Sequence, residues 1–197
     1  MIENGIVNAR FQVLHLKHMK YILAAKMRCS KLYIGISNPD PLHTCGSANA
    51  EYRGTKAGNP LTYFERCEMI RKALAEFKVP ENEYEIIPFP IDTPEYISHY
   101  TPKDGVHFLA ICDERDDEKY KRLKDHGCRI EVLWKKDKEE KDVTGSMVRN
   151  CIATDQPWTH LVPKSVYAYL TETELDKRVK RLELMRIEEK KVFDKPE

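Results

Sequence analysis

Long apolar runs, a large net charge of either sign and paired cysteines are all missing from this 197-residue chain, and each absence closes off a class of function. No stretch approaches the ~20 consecutive apolar residues that a membrane helix needs, so no membrane partner is expected. The 33 basic residues stand against 32 acidic ones, for a formal charge of +1. That balance offers no long basic stripe to nucleic acid and no general attraction to an anionic surface, so any anion site must be built locally. The cysteines at positions 29, 45, 67, 112, 128 and 151 form no C-x-x-C pair. They are read as reduced, mostly buried thiols, with Cys45 in a polar loop the most exposed. A strand beginning by Gly5 leaves no room for a signal peptide, and a cytoplasmic location is expected. Internal repeats and low-complexity tracts are absent as well. With 41% hydrophobic and 33% charged residues, the chain is globular and long enough for one domain with a full core.

What is present is an alternation of short apolar runs with helical patterns. Strands are expected at 5–11, 31–37, 84–90, 106–112 and 128–134, the fourth apolar enough to be buried on both faces. Helices are expected at 15–28, 61–77 and 115–126, with a short helix within 93–100. Thr62 and Glu65 have the spacing of a capping box. Strands separated by helices predict right-handed βαβ units, hence a parallel five-stranded sheet with helices on both faces. After Lys141 only helices follow, at 145–153, 163–171 and 173–191. The last carries Leu175, Val179, Leu182, Met185 or Arg186, and Ile187 between charges, the pattern of a solvated helix docked along one stripe. The polar segment from Asn38 to Pro60 is too long for an ordinary connection.

In open α/β sheets, ligands bind beyond the carboxyl ends of the strands. The stretch "NARFQVLHLKHMKYIL" (8–23) lies at such an end. His15 and His18 fall in the first turn of a helix and share a face, where free N–H groups and the helix dipole favour an anion. Arg10 lies just upstream, and together they make a cationic pocket suited to a phosphate. Three other readings stay open at this level: a metal site, which H-x-x-H alone does not complete; general acid–base work; and two surface histidines without a role.

A second anion site follows the last strand. In "KDVTGSMVRNCI" (141–152), Thr144 can cap a helix, Gly145 lets a ligand approach the backbone, and Ser146 offers a hydroxyl in the first turn. Arg149 lies on the same face as Ser146 and can bind phosphate oxygens bidentately. An ordinary capped helix with a solvent arginine is the alternative.

These residues resemble the nucleotidylyltransferase superfamily. "ARFQVLHLKH" is similar to its G-R-F-Q-P-x-H-x-G-H opening, and "VTGSMVRNCI" to its I-S-x-T-x-I-R element. "YIGIS" (33–37), "NPLTYFERCEMI" (59–70) and "DQPWTHLVPKSVYAYL" (155–170) are similar, in order, to pieces of the archaeal-type nicotinamide-nucleotide adenylyltransferases. The resemblance spans residues 5 to about 170. It implies a Rossmann-like nucleotidylyltransferase domain over 1–170, with a charged helical extension over 171–197 that could support a homo-oligomer. It also implies transfer of AMP from ATP to nicotinamide mononucleotide (NMN) with release of pyrophosphate, and Mg²⁺ bound through the ATP phosphates rather than by protein ligands. By motif position, His15, His18 and Arg149 would be catalytic, and Arg10, Lys17, Thr144 and Ser146 would bind the ATP phosphates. Asn38, His43, Arg53, Lys56 and Tyr96 would shape the acceptor pocket.

The sequence departs from this pattern at four places. Lys17 replaces the glycine of H-x-G-H, and Val13 replaces a proline. The segment from Asn38 to Gly58 is enlarged, with no match to an arginine before the N-P-F-T-like piece. Tyr96 stands where those enzymes carry a nicotinamide-stacking tryptophan. A catalytic half that is kept and an acceptor half that is altered leave two alternatives open. One is an adenylyl- or cytidylyltransferase for a different phosphorylated acceptor; the other is a non-catalytic nucleotide-binding module.

Overall fold

The computed structural model describes residues 1–39, 55–135 and 143–193. Five strands, β1 (Ile2–Ala9), β2 (Cys29–Ser37), β3 (Tyr84–Phe89), β4 (Val106–Ile111) and β5 (Arg129–Lys135), form one sheet in the order β3-β2-β1-β4-β5. All four pairings are parallel. Six helices accompany them: α1 (Leu16–Lys26), α2 (Tyr63–Glu76), α3 (Glu114–Asp125), α4 (Gly145–Ala153), α5 (Lys164–Glu172) and α6 (Leu175–Phe193). The fold is the expected Rossmann-like α/β arrangement with C-terminal helices.

The described residues fall into two compact units. A sheet unit draws on Met1–Arg10, Lys17–Pro39 and Phe77–Asp142; a helical unit draws on Phe11–Leu16, Asp40–Glu76 and Val143–Glu197. In the sheet unit, α1 links β1 to β2 and α3 links β4 to β5, in opposite directions along the sheet. Right-handed crossovers therefore put the two helices on opposite faces. On the α3 face, Ile6, Phe89, Leu109 and Leu123 pack with Ile97 of the 3-10 turn Pro94–His99. Gly5 is required where β1 meets β2 and β4: a methyl group there would lie 2.6 Å from Cys29 Sγ and 2.7 Å from a Phe108 ring carbon. Asp113 caps α3, accepting from Arg115 N at 3.0 Å and Asp116 N at 3.2 Å.

In the helical unit α4 packs on α6, α2 on α5, and α5 on α6. The capping box forms as read: Thr62 N donates to Glu65 Oε2 at 2.8 Å, and Glu65 N donates to Thr62 Oγ1 at 3.2 Å.

Several expectations are corrected. The first strand runs Ile2–Ala9 rather than 5–11, because Phe11 has a φ of 52° and the chain must leave the extended region before it. Of the five described cysteines, all free thiols, only Cys29 and Cys67 are buried; Cys112, Cys128 and Cys151 are half-buried, and Cys45 lies outside the described residues. On α6 the buried stripe is Leu175, Val179 and Glu183, while Leu184 and Met185 face outward. Steps of four residues along a helix bring position 183, a glutamate, under the stripe that the apolar residues alone suggested.

Candidate active site

In the sheet unit the site begins where β1 and β4 separate. Their pairing includes Gly5↔Val106 and Ile6↔His107 and goes no further. Beyond it, the carbonyls that would have continued the ladder take side-chain partners. Lys119 of α3 donates to Asn8 O at 2.9 Å, and Tyr21 of α1 donates to Phe108 O at 2.5 Å. The Lys119 ammonium also lies 5.9 Å from the Tyr21 ring centroid, within cation–π reach. Two helices from opposite faces thus satisfy a gap in the middle of the sheet, the topological switch point at which such folds bind ligands. Desolvation pulls the Lys119 amine down to about 8, against which Asp116 acts weakly. Burial pushes the Tyr21 phenol well above its ordinary range.

The sheet unit holds five of the expected residues. Arg10 follows the last residue of β1, and Lys17 and His18 stand half-buried in the first turn of α1. Asn38 follows β2 with a φ of 51°, a left-handed conformation that asparagine tolerates better than most residues. Tyr96 lies on the 3-10 turn, 51% exposed, its ring edge-on to His99 at 5.6 Å.

The helical unit holds His15, Lys56, Thr144, Ser146 and Arg149. His15 stands one residue before α1, not within it, and is only 4% exposed, which removes the reading of two surface histidines. Thr144 caps α4 by accepting from Met147 N at 3.1 Å. Arg149, 1% exposed, is not the solvent arginine of the alternative reading. Its Nε donates to Glu183 Oε1 at 2.8 Å and its Nη2 to Ser146 Oγ at 3.2 Å. Its Nη1 donates to the main-chain carbonyl of Gln12. The guanidinium therefore ties the entrance of α4 to the loop that carries His15. Lys56 is exposed in a turn before α2 and joins none of these contacts among the described residues. His43 and Arg53 of the expected acceptor pocket lie outside the described residues.

Two roles differ from expectation. A Cβ on Gly145 would sit 2.7 Å from Gln12 O, so the space beside this glycine serves the loop backbone rather than a ligand. Gln12, to which no role was given, clamps Leu61 with both ends of its amide: Nε2 donates to Leu61 O at 2.8 Å and Leu61 N donates to Oε1 at 2.9 Å. Glu183 and Lys119 were missed too. Their only sequence signals are a carboxylate at the i+4 position of an apolar stripe and a lysine in an otherwise ordinary charged helix.

A parallel sheet open at its switch point makes a Rossmann-like arrangement, a class of fold that binds ligands at that point. Residues 6–151 match the Cytidylyltransferase-like family, and the chain belongs to it. It is 40% identical to a phosphonoformate cytidylyltransferase of Streptomyces viridochromogenes over 176 residues, 89% of this chain and 95% of that one. It is 29% identical to a nicotinamide-nucleotide adenylyltransferase of Saccharolobus solfataricus, over 92% of this chain and 97% of the other. The fold is similar to that of a bifunctional NMN adenylyltransferase/ADP ribose pyrophosphatase from Francisella tularensis. That match has a TM-score of 0.68 at 13% identity, and covers all of this chain but 58% of the solved one. The chain is a nucleotidyltransferase.

Proposed function

We propose that this enzyme transfers CMP from CTP to a small phosphonate acceptor, releasing pyrophosphate. The observation that carries this reading is the 40% identity, over nearly the whole of both chains, to a phosphonoformate cytidylyltransferase. Two departures from the adenylyltransferase pattern support it: Lys17 adds an ammonium at the phosphate-binding turn where that pattern has glycine, and on the acceptor side Tyr96 is half-exposed against His99. An added ammonium at this turn favours a small, highly anionic acceptor.

In this reading an acceptor oxygen attacks the α-phosphorus in line, a P–O bond forms, and the bond to pyrophosphate breaks with its electrons leaving on the pyrophosphate oxygen. The protein's work is orientation and charge stabilisation. By motif position, His15 and His18 would hold the phosphates, Arg10 would position them, and Thr144, Ser146 and Arg149 would stabilise the departing pyrophosphate. Mg²⁺ arriving on the triphosphate would neutralise phosphate charge there.

The second reading is AMP transfer from ATP to NMN, favoured by the archaeal relatives. Pyrophosphate release with CTP or ATP, each paired with phosphonoformate or NMN in Mg²⁺, separates the two, with products identified by mass. CTP with phosphonoformate is the expected active pair; turnover confined to ATP with NMN selects the second reading, and turnover with no pair overturns both. His18→Ala lowers kcat of the active pair by about 10²–10³-fold, the scale of a lost oxyanion donor. Normal turnover in that variant removes His18 from the site.

A further inference from the structure

Glu183 lies on the helix that the sequence marks as a charged extension, yet it is 2% exposed. Its carboxylate is shared. Oε1 accepts from Arg149 Nε at 2.8 Å, and Oε2 accepts from Arg186 Nε at 2.7 Å, one turn along the same helix. Arg149 in turn reaches Ser146 Oγ and Gln12 O. A single buried carboxylate thus connects an arginine at the surface of α6 to the guanidinium that joins α4 to the His15 loop.

A buried arginine needs such a partner, because a lone charge in a dry interior is costly and a guanidinium held by one bond fewer can swivel. Its planar fork is held in one direction when two or more of its nitrogens are engaged. From this we infer that Glu183 is a positioning residue for nucleotidyl transfer: it sets the orientation and effective charge of Arg149, and through it the entrance of α4. This rests on the proposed role of Arg149 toward the departing pyrophosphate. It also makes α6 part of the working site instead of an appendage.

The test compares Glu183→Gln, Arg149→Lys, the double variant and Arg186→Gln in the full chain. It uses CTP with phosphonoformate, or ATP with NMN if that is the active pair, and each variant is checked for its melting temperature. Glu183→Gln keeps the shape and one acceptor oxygen but loses the charge. The expected result is a kcat about 10–100-fold lower per folded enzyme, the scale of a small misplacement, with KM for the triphosphate changed less than about threefold. In the Arg149→Lys background the same change has less than about twofold further effect, since Glu183 acts through Arg149. Arg186→Gln removes one guanidinium from the Glu183 carboxylate and raises KM for the triphosphate about two- to fivefold at unchanged kcat. Wild-type kcat in folded Glu183→Gln, or fully additive losses in the double variant, overturns the inference. Should Glu183→Gln fail to fold, unchanged kinetics in Arg186→Gln overturn it instead. Wild-type turnover in Arg149→Lys is a different result: it removes the arginine from the proposed mechanism and leaves the buried network a structural one.

Discussion

His107 shows how a single side chain can be built for one protonation state. It lies on β4, 4% exposed, with its ring edge-on to Phe89 at 5.8 Å. Its Nδ1 is buried without a hydrogen-bond partner. Desolvation, with the nearby Lys119 charge, pulls it down from 6.5 to about 4. The folded state therefore holds a neutral imidazole where the unfolded chain would already be protonated. Between about pH 6.5 and 4 the unfolded state binds more protons, so stability falls as pH falls through that window. The loss is up to about 3 kcal/mol for one group shifted this far. His107→Leu should flatten the acid limb of a urea-denaturation series taken from pH 7 to 4; an unchanged limb assigns the acid sensitivity to carboxylates. Gly145 gives a second case. Because an added methyl would meet Gln12 O at 2.7 Å, Gly145→Ala should cost about 1–3 kcal/mol in urea unfolding, as overpacking does. A neutral result would mean that the loop backbone yields freely.

At the scale of elements, the helix entrances are closed by side-chain caps. Glu65 closes the capping box of α2 and also accepts from Arg178 of α6. Although burial opposes it, these bonds hold its carboxyl below the ordinary range. Thr62→Ala loses one cap bond and should cost about 1 kcal/mol. Glu65→Ala loses the reciprocal bond and leaves Arg178 without this partner, so its effect on the urea midpoint should be the larger; equal effects would show that the Arg178 contact contributes nothing. Helix α4 uses the same device differently. Thr144 caps it, and Arg149, one turn in, is turned back toward the loop at 11–16 and away from solvent. A motif that resembles a phosphate-binding element is therefore also a fastening within the helical unit.

For the molecule as a whole, near-neutral charge and the proposed nucleotide site predict that stabilisation comes from specific binding and not from general attraction of anions. A ligand that binds only the folded state stabilises it by RT ln(1 + [L]/Kd), about 2.7 kcal/mol at a hundred times Kd. In thermal-unfolding scans with Mg²⁺, CTP should raise the melting temperature more than ATP at equal concentration, and tripolyphosphate should raise it least. A larger shift with ATP would favour the adenylyl reading. Equal shifts with all three would mean that the base is not recognised.

Much of this was legible along the chain. The five strands and six helices, the capping box at Thr62 and Glu65, the cap at Thr144 and the parallel sheet follow from apolar periodicity and local hydrogen-bonding chemistry, which act over a few residues. The family is legible for the same reason: five short pieces keep their order and their residue types. Long-range partnership is not written in any local pattern. That Arg149 finds Glu183, 34 positions away, that Gln12 grips Leu61, 49 positions away, and that Lys119 closes the gap left by β1 at Asn8, 111 positions away, could be decided only when the chain was folded. A buried polar atom must take whichever partner the packing brings within 3 Å, and packing is a property of the whole core and not of the residue.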